Sequence, residues 1–182
     1  VNENWRIRNE SMVNSMATIK SLASQRILGK PYTVSEYNHP FPNQYGAEGQ
    51  PMLRSYGALQ GWDGVFEYTF NHRNEFDLDY NNYFFSINDR TDVLAHFPAC
   101  ATIYLRGDVR ESKSAISAPI DYAGYFEKLV SDKSVGANIS GAGFNTSLSL
   151  IHKTGVLLNG DTGSKASDFD TPTGKILKSD TE

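Results

Sequence analysis

The chain has 182 residues, enough for one domain with its own core, and a formal net charge of −4. That mild acidity, without a basic run, leaves no electrostatic footprint for nucleic acid. A single cysteine, Cys100, excludes an internal disulfide framework and a cysteine-built zinc site.

Residues 11–28 place Met12, Val13, Met16, Ile19, Leu22, Ala23 and Ile27 at helical spacing, which predicts one helix. Gly29 and then Pro31 close it in the usual order. A short strand is expected over 32–36, ending on the carboxylate of Glu36, before a polar, aromatic, proline-punctuated loop. Pro51 opens a second helix, 51–60, where its missing N–H costs nothing, and Gly61 ends it. The run 63-DGVFEYTF-70 predicts a second strand. The long stretch 71–88 that follows is rich in aromatic rings, as functional loops often are.

A third helix is expected over 89–106, with Pro98 either kinking it or marking its start. The order helix, strand, helix, strand, helix predicts an α/β fold with a parallel sheet. Two strands are too few for such a sheet alone. The chain also opens in a polar, helix-leading segment and closes as a strand or turn begins. A piece of a longer protein is therefore expected, with the missing upstream part of the same chain supplying the other strands. Residues 121–132 suit a short amphipathic helix, 144–158 fit either helix or strand, and 159–182 read as loop. No apolar run approaches the ~18 residues of a membrane span, so no membrane partner is expected.

In α/β proteins the C-terminal ends of parallel strands form the ligand face. Glu36 fits a catalytic carboxylate at such an end, and equally an ordinary glutamate facing water. The segment 29-GKPYTVSEYNHPFPNQYGAEGQPML-53, with 56-YGALQGWDGVFEYTF-70, resembles the seventh and eighth strands of clan A glycoside hydrolases. These are retaining glycosidases on a (β/α)8 TIM barrel. The stretch 91-TDVLAHFPACATIYLRGDV-109 looks like the closing helix of β-galactosidase-like members. The resemblance spans residues 9–110 well and the remainder only vaguely. It implies that 1–110 is the C-terminal portion of the barrel, carrying its last two strands and their helices. Residues 111–182 would then be a linker and the start of an additional region.

By that resemblance Val34-Ser35-Glu36 ends the seventh strand, with Glu36 as the nucleophile of a double displacement on a carbohydrate substrate. The chemistry needs no metal and no cofactor. The acid/base carboxyl belongs to the fourth strand, which this chain lacks, so the chain alone is expected to be inactive. Tyr37, Asn38 and His39, just past the nucleophile, and Asn71 and His72, after the eighth strand, are candidates to touch sugar hydroxyls. For each, a plain loop hydrogen bond is an equal alternative. Glu67 falls mid-strand and is expected to pair structurally, and Trp62 to pack.

Other signals carry less. Asp77, Asp79 and Asn81 hint at a calcium loop, but Asn82 and Asn88 stand where an EF-hand needs glycine and glutamate. Asp161 in 161-DTGS-164 matches an aspartic-protease signature by letters, without the second copy that chemistry needs. Asn9, Asn138 and Asn145 lie in glycosylation sequons. Beside the glycosidase stand two rivals: a non-catalytic carbohydrate-binding or structural protein on a degenerate barrel, and a hydrolase using Asp161.

Overall fold

The computed structural model describes residues 6–77, 79–81, 83–131, 146–158, 164–165 and 181. Asp161, Asn138 and Asn145 lie outside the described residues.

The first helical region is two helices, α1 (Met12–Ser15) and α2 (Ala17–Ala23), not one, and it ends at Ala23, short of Gly29, because Ile27 bridges to Val156 instead of continuing the helix. Met16 breaks them with a left-handed backbone, φ 53°. Apolar spacing runs unbroken across the joint, because Met12, Ile19 and Ala23 enter the same core while Met16 packs at its margin. Glu48 holds the start of α1: its carboxylate accepts from Ser11 Oγ and from the Met12 N–H, each at 2.7 Å.

Strand β1 (Thr33–Tyr37) and strand β2 (Gly64–Glu67) are parallel neighbours, joined through α3 (Gly49–Gln60). A parallel pair needs such a crossover. Helix α3 starts two residues before Pro51, which still falls within the first four positions whose N–H groups lack intrahelical partners. Gly61 takes the left-handed position that ends it, φ 62°. Leu53 of α3, Val34 of β1, Trp62 and the α1–α2 residues make the main core. Trp62 packs edge-on to Tyr32, and its carbonyl accepts from Tyr104 Oη.

Strand β2 is shorter than expected, ending at Glu67; the Tyr68–Thr69 peptide beyond it is cis. The expected helix over 89–106 is likewise two, α4 (Thr91–Leu94) and α5 (Phe97–Arg106), with Pro98 in the first turn of α5. There its missing N–H and fixed φ suit a helix start, so it marks a beginning rather than a kink.

Strand β3 (Ala115–Ile120), helix α6 (Tyr122–Ser131), strand β4 (Lys153–Leu158) and strand β5 (Ser164–Lys165) follow. They form a second parallel sheet in the order β4-β3-β5. Sequence patterning missed β3, whose AISAPI run alternates weakly and carries a proline. Residues 146–158 dock on the first half of the chain. Gln60 Nε2 donates to the carbonyls of Ser149 and His152, both at 2.6 Å, and Gln60 Oε1 accepts from the Thr154 N–H at 2.9 Å. The backbone of β4 also pairs with Arg26 and Leu28 through Val156. The architecture is α/β with small parallel sheets, and among the described residues no helix is long and apolar enough to cross a membrane.

Candidate functional site

Val34 pairs with Val65 and Tyr37 with Glu67, so Ser35 and Glu36 together face the single residue Phe66. This is a β-bulge, which adds a residue to one strand and re-aims its side chains. It breaks the in–out alternation of β1, so that Ser35 and Glu36 are both exposed between the buried Val34 and the half-buried Tyr37. Glu36 thus stands as an open carboxylate at the C-terminal end of a parallel strand. Among the described residues it has no hydrogen-bond or ion-pair partner.

The residues beside it divide. Tyr37 packs against the main core, and burial, helped by the nearby Glu67 and Glu48 carboxylates, pushes its phenol well above the usual range. His39 is buried, with Nδ1 3.5 Å from Tyr37 Oη; burial holds its imidazole below the usual range. Gly49 makes room for that ring, since a Cβ there would stand 2.5 Å from His39 Nδ1. Both side chains therefore belong to the packing beneath the strand end. Asn38 is a tie between loops: its Nδ2 donates to the carbonyls of Tyr68, at 2.9 Å, and Phe85, at 2.6 Å.

Asn71 closes its own loop, donating to the Glu75 carbonyl and accepting from the Arg73 N–H. His72 is exposed and stacked on Tyr83, ring centroids 3.9 Å apart, with Nδ1 3.3 Å from Tyr68 Oη. The loop over 71–88 returns to the end of the sheet where Glu36 lies. Thr69 N–H donates to the Phe85 carbonyl, and Phe41 N–H, in the loop after β1, donates to the Phe84 carbonyl. Of the five candidate contact residues, His72 alone presents an exposed side chain at this end.

Glu67 lies on β2 with its side chain 7% exposed, 3.6 Å from Arg54 Nη2, and accepts a 2.7 Å hydrogen bond from Gln50 Nε2. Burial raises its carboxyl above the usual range in spite of these partners, and burial lowers the Arg54 guanidinium. Desolvation therefore outweighs attraction for both members of the pair.

Arg90 escaped notice in the sequence. Its buried guanidinium bonds both Asp92 oxygens, at 3.2 and 2.6 Å, and the His39 carbonyl, joining the loops that leave β1 and β2. A Cβ on Gly46 would fall 1.9 Å from Arg90 Nη2, so glycine there is what lets the arginine lie flat. The spacing Gly46-x-x-Gly49 is the signal the sequence offers for these two close approaches. Among the described residues no group of three or more His, Cys, Asp or Glu could hold a metal ion.

Comparison with protein-family models, with curated proteins and with solved structures returns no match.

Proposed function

We propose that this chain is part of a retaining glycoside hydrolase, that β1–α3–β2 forms the last two strands of a (β/α)8 barrel, and that Glu36 is the nucleophile. The observation that carries the reading is the carboxylate of Glu36, exposed and turned out by a bulge at the end of a parallel strand. The aromatic loop after β2 returns to the same end, where a carbohydrate ring would be covered.

In the double displacement Glu36 attacks the anomeric carbon. The bond to the leaving oxygen breaks, and that oxygen takes a proton from a second carboxylic acid ~5–5.5 Å away. The resulting glycosyl ester is opened by water, which gives its proton to the same second group and frees Glu36. Glu67 is ill suited to be that group, being buried and held by Arg54 and Gln50. The reading therefore assigns the acid/base to the upstream part of the parent protein.

The test uses that parent. A 2-deoxy-2-fluoro glycoside with an activated leaving group should label Glu36, located by peptide mass spectrometry. Glu36→Ala should lose turnover by several orders of magnitude, and azide should restore part of it, giving the glycosyl azide of inverted configuration. The 182-residue chain alone should be inactive. A fully active Glu36→Ala parent, or a label on another residue, would overturn the assignment. Sugar binding without label or turnover would favour the non-catalytic carbohydrate-binding alternative.

A further inference from the structure

A cleft of about 540 Å³ opens between the loops that leave β1 and β2, within the ~300–1,000 Å³ span of small-molecule sites. Phe41 and Gln44 come from the first loop, Asp79 and Tyr80 from the second, and Asp89 from the approach to α4. Phe41 and Tyr80 are 47% and 64% exposed, so two large aromatic side chains are offered to solvent.

The walls are held before any ligand arrives. Asn43 donates to the Arg8 carbonyl and accepts from the Tyr45 N–H; Asn81 donates to the Ser86 carbonyl and accepts from the Tyr83 N–H. A preformed cleft loses little freedom when it is filled.

Its charge is one-sided. Arg90 is the cation in the lining, and its guanidinium is already committed to Asp92 and to the His39 carbonyl. Asp79 and Asp89 have no cationic partner among the described residues; Asp89 accepts only from its neighbour Asn88, at 2.6 Å. Two carboxylates remain as acceptors for hydroxyl donors, beside aromatic faces that suit the apolar face of a sugar ring.

We propose that this cleft is a saccharide subsite that takes a neutral sugar chain and rejects acidic ones. A uronate or sulfate would meet Asp79 and Asp89 with no free cation in the lining to offset them. Glu36 does not line this cleft, and only the cleft's meaning as a subsite of a longer substrate rests on the glycosidase reading.

The test is binding by the full chain to neutral tetrasaccharides of glucose, mannose, xylose and galactose, to tetragalacturonate, and to a glucosamine tetramer, by calorimetry. At least one neutral chain should bind, and tetragalacturonate at least about tenfold more weakly. Phe41→Ala and Tyr80→Ala should each weaken neutral binding about fivefold, with melting curves unchanged because both rings are exposed. Asp79→Asn with Asp89→Asn should narrow the gap to tetragalacturonate. In the unaltered chain, hydroxyl-radical footprinting should show Phe41 and Tyr80 protected by the neutral chain. No neutral binding, binding indifferent to both ring substitutions, equal affinity for the uronate, or preference for the cationic glucosamine tetramer would each overturn the proposal. Neutral binding in the cleft with no fluoroglycoside label on Glu36 of the parent protein would retain the subsite and sink the catalytic reading instead.

Discussion

Replacing Arg54 by methionine removes the cation from a buried pair while keeping an unbranched, apolar side chain. At 3.6 Å and an effective dielectric of about 20, the attraction lost is about 5 kcal/mol. The full loss is not expected, because Glu67 can escape by taking a proton. With an ordinary glutamate near 4.3 in the unfolded chain, holding that proton at pH 7 costs at most about 3.7 kcal/mol, at 1.36 per pH unit. The guanidinium's own desolvation is relieved at the same time, and its contact over the Phe97 ring, at 5.4 Å, is lost for about 0.5–1 kcal/mol.

The expected destabilisation of Arg54→Met is therefore about 3 kcal/mol at pH 7 and about 1 kcal/mol near pH 4, where Glu67 is mostly neutral in both states. The sign follows from the raised carboxyl of Glu67. Stability is fully present below the unfolded glutamate's range and is lost as pH rises towards the folded value, more steeply without Arg54. Urea unfolding at about pH 4, 5.5 and 7 measures it. Adding Glu67→Gln to Arg54→Met removes the remaining charge and should recover most of the loss at pH 7, since the amide oxygen can still accept from Gln50. A cost independent of pH, or a double variant no better than Arg54→Met, would refute the reasoning.

Gly49→Ala puts a Cβ 2.5 Å from the buried His39 Nδ1 and should cost about 1–3 kcal/mol in urea unfolding; a neutral outcome would mean the ring moves freely. Gln60→Leu strips partners from two carbonyls and the buried Thr154 N–H, for about 3 kcal/mol or more, and should speed hydrogen exchange at Thr154 before it affects β1. The phenol of Tyr32, pushed up to about 12 by burial, should ionise late in an ultraviolet titration. Because the unfolded chain releases that proton near the ordinary tyrosine value of about 10, stability should fall as pH rises between the two.

Where punctuation residues set the chain's course, the sequence was readable. Pro51 and Gly61 bracket α3 to within two residues, and the parallel pairing follows from the crossover; Gly29 and Pro31 only precede β1, because α2 already ends at Ala23. Periodicity misled at Met16, because apolar spacing does not register a backbone turned left-handed. Strand β3 was missed since small and proline residues give pattern methods no contrast. At the candidate site the end of β1 was legible, but the roles of its neighbours were not. Asn38 and Asn71 look like sugar ligands by type, yet loop carbonyls claim their amides. Tyr37 and His39 follow Glu36 directly, and the bulge with its buried flank turns them to packing; no local signal in the sequence marks a bulge.

Gln60 also sets a clock on synthesis. Its partners Ser149 and Thr154 lie 89 and 94 residues downstream. A ribosome adding ~5–20 residues per second makes them roughly 5 to 20 seconds after α3 is complete. Throughout that interval the end of α3 carries an amide meant for the interior, beside apolar residues whose cover has yet to be translated. A nascent chain paused before Ser149 would hold this face open for the length of the pause.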